Sequence, residues 1–507
     1  MNIDRVVKRL VATFVAAVTL TVVSLTTCAA LVPMPQSVKE LQGCVRYSAP
    51  VYEQDASLGH EAYRLRVGDN GIVITSSSKA GAFYAEKTLA QLRQADGSYP
   101  AVEIEDWPAY PWRGFLLDEG RHFFGKETVK RVLDLMAYHK LNVFHWHLTE
   151  DQGWRIDVPG MPELVKYGSV RPESPSHGAT LKKLADYQYR SESLNGIPYG
   201  PYFYSESDLR EIVAYAKERH IKVVPEIDMP GHALAILAAY PKLACFPENI
   251  KRRMAWPDWG IFADVLCVGN DDTLGFLYRV LDYVCDVFPS DVIHIGGDEC
   301  PFVNWAKCPK CQARMKAEGL KEAKELQGWL TTKVAEYLAK KGRRIMGWDE
   351  ILAGNVPQSA IGQSWRTSNR NGSGTDLVSG GLGAERGHDM VMTPHDETYY
   401  AYQQGLGEDP FARDGEVLPL EKAYSFDPAR SVSPSAKKRI LGSEACLWSE
   451  YIWNEYDLAW RAWPRTCAMA EVLWRNPAPR DYSDFEKRME VHRKRLIRMG
   501  VNCAPLK

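Results

Sequence analysis

Two acids follow two glycines at Gly296-Gly297-Asp298-Glu299, and this tetrapeptide is the strongest chemical feature of the chain. Neighbouring residues on a regular strand point to opposite faces, so adjacent carboxylates can serve one site only where a strand breaks into a loop. The glycines supply that freedom and leave room for a ligand. Such a pair suits a division of labour, in which one carboxyl gives and takes a proton at a leaving oxygen while its neighbour holds another group of the substrate. A metal-binding pair or a solvated turn is the alternative.

Positioning the pair requires a strand that ends just before Gly296. From 112 onward, apolar and β-branched runs at 112–117, 143–148, 222–227, 292–295, 344–347, 361–364, 390–393 and 440–443 alternate with amphipathic stretches at 127–139, 206–219, 272–288 and 322–341, and 458–473 closes the series. This alternation implies a parallel sheet, and eight such strands predict an α/β fold, a closed (β/α)8 TIM barrel, with an open doubly wound sheet as the alternative. Residues 31–110 predict a small N-terminal α+β domain, with strands at 63–67 and 71–75 and helical spacing over 80–92. The aromatic and proline cluster at 106–111 marks the boundary with the catalytic barrel at 111–507.

Active sites of such barrels form at the C-terminal ends of the strands. Here the exits carry Asp118-Glu119-Gly120-Arg121, Glu150-Asp151, Asp228 with His232, Asp298-Glu299, Trp348-Asp349-Glu350, Trp365-Arg366, Tyr399-Tyr400 and Trp448-Ser449-Glu450. One polar exit would be an ordinary solvated loop, whereas eight in series make a site rim. Indole faces stack on the C–H face of a pyranose while arginine and carboxylates take its hydroxyls, so the expected ligand is a sugar. No phosphate-cradling glycine loop and no HExxH motif is present, and neither a cofactor nor a metal is expected at the site. Glycosidases that flank the scissile bond hold two carboxyls about 5–5.5 Å apart for retention or about 6.5–9.5 Å for inversion, an arrangement awkward for adjacent residues. The stretch 172–204, rich in Ser, Gly, Pro and Tyr, follows the second strand and is expected on the same rim.

These motifs together resemble glycoside hydrolase family 20, the β-N-acetylhexosaminidases. The resemblance runs over nearly the whole mature length, from Val32-Pro33-Met34-Pro35-Gln36 through 117–122, 144–155, 228–232 and His294-Ile295-Gly296-Gly297-Asp298-Glu299 to 447–450 and the last helix. It implies a retaining, substrate-assisted reaction, a mechanism for which the family is a known exception to the two-carboxylate rule. The 2-acetamido oxygen would attack the anomeric carbon to give an oxazolinium ion, and water would then open it. Glu299 matches the acid/base, a role that requires a raised pKa. Asp298 matches the carboxylate that holds the acetamido N–H and is expected to stay ionised. Tyr399 matches the donor to the acetamido oxygen, with Tyr400 the neighbouring alternative. Arg121 and Glu450 match the grip on the outer hydroxyls, and Trp348, Trp365 and Trp448 match the aromatic walls. His232, Asp151 and Glu150 match the residues behind the acid/base that tune it. One position departs: where the family commonly has an Asp two residues after the tyrosine, this chain has Ala401, which bears on gluco against galacto preference. The implied partner is a glycan or oligosaccharide with terminal N-acetylhexosamine, cleaved from its end.

The remaining features narrow the setting. With 62 Lys+Arg against 64 Asp+Glu the net charge is -2, so no global field recruits nucleic acid or an anionic membrane. Arg5, Lys8 and Arg9 precede an apolar run from Leu10 to Leu25 and small residues near Cys28, the order of a signal peptide over 1–30. Export is expected, to a bacterial periplasm, the outer membrane or the medium, and the only membrane association expected is a lipid anchor at Cys28 if the leader is of the lipoprotein type. Of eleven cysteines, ten remain beyond Cys28, an even number that permits disulfides in an oxidising compartment. Cys308 and Cys311, with Cys300 upstream, have the spacing of half a zinc site, but no second CxxC or paired His follows. Disulfides or free structural thiols are therefore expected.

Overall fold

A computed structural model describes residues 30–174, 198–366, 380–405, 416–430, 432–475 and 480–506. The expected leader up to residue 29, Cys28 and most of the 172–204 stretch lie outside the described residues. Ala30 is buried, and its carbonyl accepts a hydrogen bond from Arg495 at 2.7 Å.

Eight parallel strands close a barrel in chain order: Trp112–Asp118, Val143–His147, Lys222–Glu226, Val292–His294, Arg344–Trp348, Ile361–Ser364, Asp389–Met392 and Ile440–Leu447, the last pairing with the first. The open-sheet alternative is thereby removed. Outer helices include Lys126–Tyr138, Glu206–Glu218, Asp271–Val287 and Glu325–Ala339. Side chains on the inner wall recur every second residue, so they stack in layers. Trp112, Val143, Val224, Val292, Met346, Ile361 and Val391 form the apolar lower layer. Two residues further along their strands come His145, Glu226, His294, Trp348 and Gln363, a buried polar layer directly beneath the strand exits.

Local chemistry sets the helix ends. Ser205 and Asp208 form a reciprocal capping box at the start of Glu206–Glu218, and Asn270 accepts from Asp272 N–H at the next outer helix. The single helix expected over 458–473 is instead two, Glu455–Ala462 and Arg465–Trp474. Pro464 lies between them, and a proline lacks the N–H that a continuous helix would need. A further helix, Tyr482–Arg498, follows; Arg488 on it pairs with Glu471 at 2.6 Å.

The small domain is a five-stranded sheet in the order Ser37–Arg46, Ser98–Asp106, Tyr63–Gly68, Gly71–Ser76, Val51–Gln54, with helix Lys79–Leu92 against it. Its first and second strands in the chain keep most side chains exposed, so they carry no apolar alternation to betray them in the sequence. Its core includes Tyr63, Leu65, Ile74, Tyr84 and Leu92, together with Trp474 from the helix Arg465–Trp474 of the barrel. Buried Lys140 binds Asp106 at 2.8 Å, and Trp474 donates to the same carboxylate at 2.8 Å. Arg113 of the barrel also pairs with Glu61 at 2.7 Å, so several buried contacts join the two domains. Among the described residues no helix is long and apolar enough to cross a membrane.

Candidate active site

The fourth barrel strand ends at His294, and the chain then turns sharply. Gly296 and Gly297 have φ of +64° and +98°, the left-handed region that favours glycine. A Cβ at Gly296 would lie 1.8 Å from Asp228 Oδ1, and Gly297 N–H donates to that same oxygen at 3.2 Å. Glu299 itself has φ +47°, and His232 opposite has +45°. A non-glycine side chain held in this region costs about 1–3 kcal/mol and persists where the surroundings enforce it. The result is that Asp298 and Glu299 both reach one pocket, which neighbours on a straight strand could not do.

That pocket is lined by Arg121, Asp298, Glu299, Trp348, Trp365, Tyr399, Trp448 and Glu450, with Ala401, Tyr402 and Tyr451 completing the wall. All eight residues expected to catalyse or bind are therefore brought together, and Ala401 stands at the wall as its register requires. Tyr399 faces the pocket, whereas Tyr400 is buried in the core beneath the Arg465 guanidinium, which settles which of the two tyrosines reaches the cavity. Tyr402 and Tyr451 were not anticipated; both lie in loops, where no periodicity marks an aromatic residue as facing a site.

His232, Glu150 and Asp151 form the layer behind the acids. His232 Nδ1 lies 2.8 Å from Glu150 and 3.3 Å from Asp151, and its Nε2 lies 3.6 Å from Asp298 and 3.7 Å from Glu299. Burial would lower the His232 pKa, but Glu150, Asp151 and Asp298 outweigh it and hold it well above the usual imidazole range. It is thus a cation below two acids. Glu150, Asp151 and His232 have ligating atoms within 4.8 Å of one another, yet Glu150 is already engaged by Arg121 at 3.1 Å and by His147 at 3.2 Å. Those charges satisfy each other without an ion.

The two acids differ. Burial raises the Glu299 pKa, with His232 opposing and Glu350 adding to the rise, and 35% of its side chain is exposed toward the pocket mouth. Asp298 is 16% exposed and is raised to about 7, again by burial first, with Glu350, Glu226 and Glu299 adding to it against His232. Its Oδ1 is buried without a hydrogen-bond partner. Without a ligand, burial therefore shifts Asp298 toward its neutral form. A donor from a ligand would supply the missing bond and favour the charged form.

The walls are fixed by their neighbours. Trp348 Nε1 donates to Glu226 at 2.9 Å, Trp365 Nε1 donates to Glu350 at 3.2 Å, and Arg121 lies over the Trp448 ring at 5.2 Å. Burial pushes the Tyr399 phenol well above its usual range, with Cys446, Tyr402 and Asp298 adding to the rise, so it remains a hydrogen-bond donor. Glu226 and Glu444 were missed by the sequence reading. Glu226 receives His147, His145 at 3.1 Å and His294 at 2.9 Å, while Glu444 receives Trp112 at 2.7 Å, His145 at 2.9 Å and Gln363 at 3.1 Å. An acid inside an apolar strand, as in Lys222–Glu226, was the available signal.

Comparison with known proteins agrees with this geometry. The model of the glycosyl hydrolase family 20 catalytic domain matches residues 110–477, and that of domain 2 of the same family matches 50–107. A β-hexosaminidase of Porphyromonas gingivalis is 40% identical over 459 residues, 88% of this chain, although the chain spans only 55% of that relative's length. A β-hexosaminidase of Akkermansia muciniphila is 32% identical over 92% of this chain and 90% of its own. The crystal structure of an exo-β-N-acetylglucosaminidase from Vibrio harveyi in complex with N-acetylglucosamine superposes with TM-score 0.81 at 30% identity, covering 95% of this chain and 79% of that one. The chain belongs to glycosyl hydrolase family 20.

Proposed function

We propose that the chain is a retaining exo-β-N-acetylhexosaminidase that releases terminal β-linked N-acetylglucosamine or N-acetylgalactosamine from glycans by substrate-assisted catalysis. The observation that carries the reading is the turn at Gly296 and Gly297, which gives Asp298 and Glu299 a common pocket with Tyr399 and a common cation, His232 Nε2, at 3.6 and 3.7 Å. The similarity to a Porphyromonas β-hexosaminidase and a Vibrio exo-β-N-acetylglucosaminidase supports the same substrate class.

In this account Trp348, Trp365 and Trp448 enclose the acetamido-bearing sugar, and Arg121 with Glu450 grips its outer hydroxyls. Asp298 accepts the acetamido N–H through its unpartnered oxygen and draws the acetamide toward the anomeric carbon. Tyr399 donates to the acetamido oxygen, holding it for attack. That oxygen then bonds to the anomeric carbon as the glycosidic bond breaks, and Glu299 hands its proton to the leaving oxygen. Asp298 stabilises the cationic oxazolinium ring. Glu299, now a carboxylate, takes a proton from water, whose oxygen replaces the acetamido oxygen at the anomeric carbon. Two displacements at one carbon leave its configuration retained.

The test is hydrolysis of 4-nitrophenyl N-acetyl-β-D-glucosaminide, its galacto epimer and the plain β-D-glucoside. Turnover of an acetamido sugar with little of the glucoside is expected. Comparable glucoside turnover would contradict substrate assistance, and no turnover of any of the three by folded protein would contradict the exo activity.

A further inference from the structure

Four cysteines outside the pocket converge on one point. Cys245 and Cys267 lie on the long connection after the third barrel strand, and Cys308 and Cys311 open the helix Pro309–Glu318 that follows the Asp298-Glu299 loop. All four sulfurs lie within 4.8 Å of one another, and three pairs, Cys245 with Cys311, Cys267 with Cys308 and Cys267 with Cys311, are separated by 3.7 Å. The sequence offered half a zinc site and no second pair. The fold supplies the other half from residues about forty to sixty positions upstream, which no short motif could reveal.

From this arrangement we infer that Cys245, Cys267, Cys308 and Cys311 bind one Zn²⁺ as a tetrahedral tetrathiolate. Four ligands at the Zn–S distance of about 2.3 Å stand about 3.8 Å apart along each tetrahedral edge; three of the six sulfur pairs are at 3.7 Å and the others within 4.8 Å. A pair of disulfides would join each sulfur to one partner only, whereas Cys267 and Cys311 each have two neighbours at the same distance. The backbone around the cluster brings the two cysteine-bearing segments close together. A Cβ at Gly269 would fall 2.2 Å from Lys310 C and 2.3 Å from Cys311 N, so only glycine allows the two segments to approach this closely. Cys267, Cys308 and Cys311 are buried and Cys245 is partly so.

The ion would clamp together the two loops that carry the site. The connection holding Cys245 and Cys267 also carries His232, and at its other end a Cβ on Gly231 would sit 3.1 Å from Asp298 O. Metal binding at a four-thiolate site releases protons and adds folding free energy, so this clamp would hold the acid loop against His232 from behind.

The experiment uses the full mature chain, made in zinc-supplemented medium and purified without a metal-affinity step. Elemental analysis should give about one zinc per chain. Protein made with cobalt instead should show the visible d–d bands and near-ultraviolet charge-transfer absorption of a tetrahedral Co–thiolate. The double variant Cys267→Ser/Cys311→Ser should lose the metal, while Cys44→Ser, at an exposed cysteine elsewhere, should keep it. Because the double variant could fail to fold, the wild-type metal content and cobalt spectrum stand alone as the decisive readings. Metal-free wild-type protein would overturn the inference, whether alkylation under denaturing conditions finds the four cysteines in two disulfides or as free thiols. Zinc retained in full by a folded double variant would also overturn it.

Discussion

Two sets of carboxylates lie at successive levels of this barrel, Glu226 and Glu444 fully buried and Asp298 and Glu299 open to the pocket, and they have opposite fates. In the lower set, every oxygen of Glu226 and Glu444 meets a histidine, indole or amide donor. Burial would push the Glu226 carboxyl up, but His147, His294 and His145 outweigh it and hold it well below the usual range. In the upper set, Asp298 and Glu299 share one cation at 3.6 and 3.7 Å, Asp298 keeps an unpartnered oxygen, and both acids are raised. Burial alone therefore does not decide where a carboxyl titrates; the donors and cations that face it do. The lower set converts its charges into fixed walls, as where Glu226 anchors Trp348. The upper set leaves room for a substrate to complete it.

Breaking the two sets should give different symptoms. Glu299→Gln should cut kcat/KM for the nitrophenyl N-acetylglucosaminide by about 10²–10⁴-fold, with thermal stability unchanged or improved. A loss of less than tenfold would remove Glu299 from the role of acid/base. Glu226→Gln should act the other way round in emphasis. Breaking a buried ion pair by removing one partner costs about 3–5 kcal/mol, so calorimetry should show a clear fall in Tm. With the histidine and indole donors around position 226 forced to rearrange, kcat should fall at least about tenfold from misplacement of the sugar. A variant with normal Tm would show that the lower set is not the structural member of the comparison.

Titration sharpens the contrast. Because the free-enzyme Asp298 pKa is about 7, kcat/KM should fall as pH drops below that value and the carboxylate is protonated. The acetamido N–H and the developing positive charge favour the ionised form, so the acid limb of kcat, which reports the bound enzyme, should lie at lower pH. Coincident limbs in the two profiles would contradict that pairing. The smallest effect is expected at the wall: Ala401→Asp should lower KM for the gluco substrate about fivefold through one added hydrogen bond, leaving kcat near its original value. An unchanged KM would mean that Ala401 does not face the outer hydroxyls.

Most of the barrel could be read from the sequence because its strands are buried on both faces and appear as unbroken apolar runs, each ending in a polar exit. The chemical pair was equally visible, since two glycines before two acids announce a turn. What could not be read was long-range. The exposed strands Ser37–Arg46 and Val51–Gln54 lack a hydrophobic pattern, and the interruption at Pro464 is submerged in an otherwise helical run. The Glu226 hub depends on which of its neighbours across the barrel carry histidines. Cys245 and Cys267 reach Cys308 and Cys311 only through the fold. The raised Asp298 pKa belongs to the same class, since it follows from desolvation and from Glu350 and Glu226, which come from other parts of the barrel.

The central claim, that the upper acids are under-paired for the sake of a ligand, is tested most directly by Asp298→Asn at pH 8, with Tm and kcat/KM measured on the same protein. Raising a carboxyl from 3.8 to about 7 means that ionising it costs the folded state; the penalty is absent below about pH 4, grows as pH rises, and is complete once the pH exceeds the folded-state value. Asparagine removes it. The account predicts a higher Tm than wild type at pH 8, a gain that shrinks at pH 5, and a loss of about 10²–10³-fold in kcat/KM at pH 8. A fall in Tm together with activity would place Asp298 among the structural carboxylates and contradict the account.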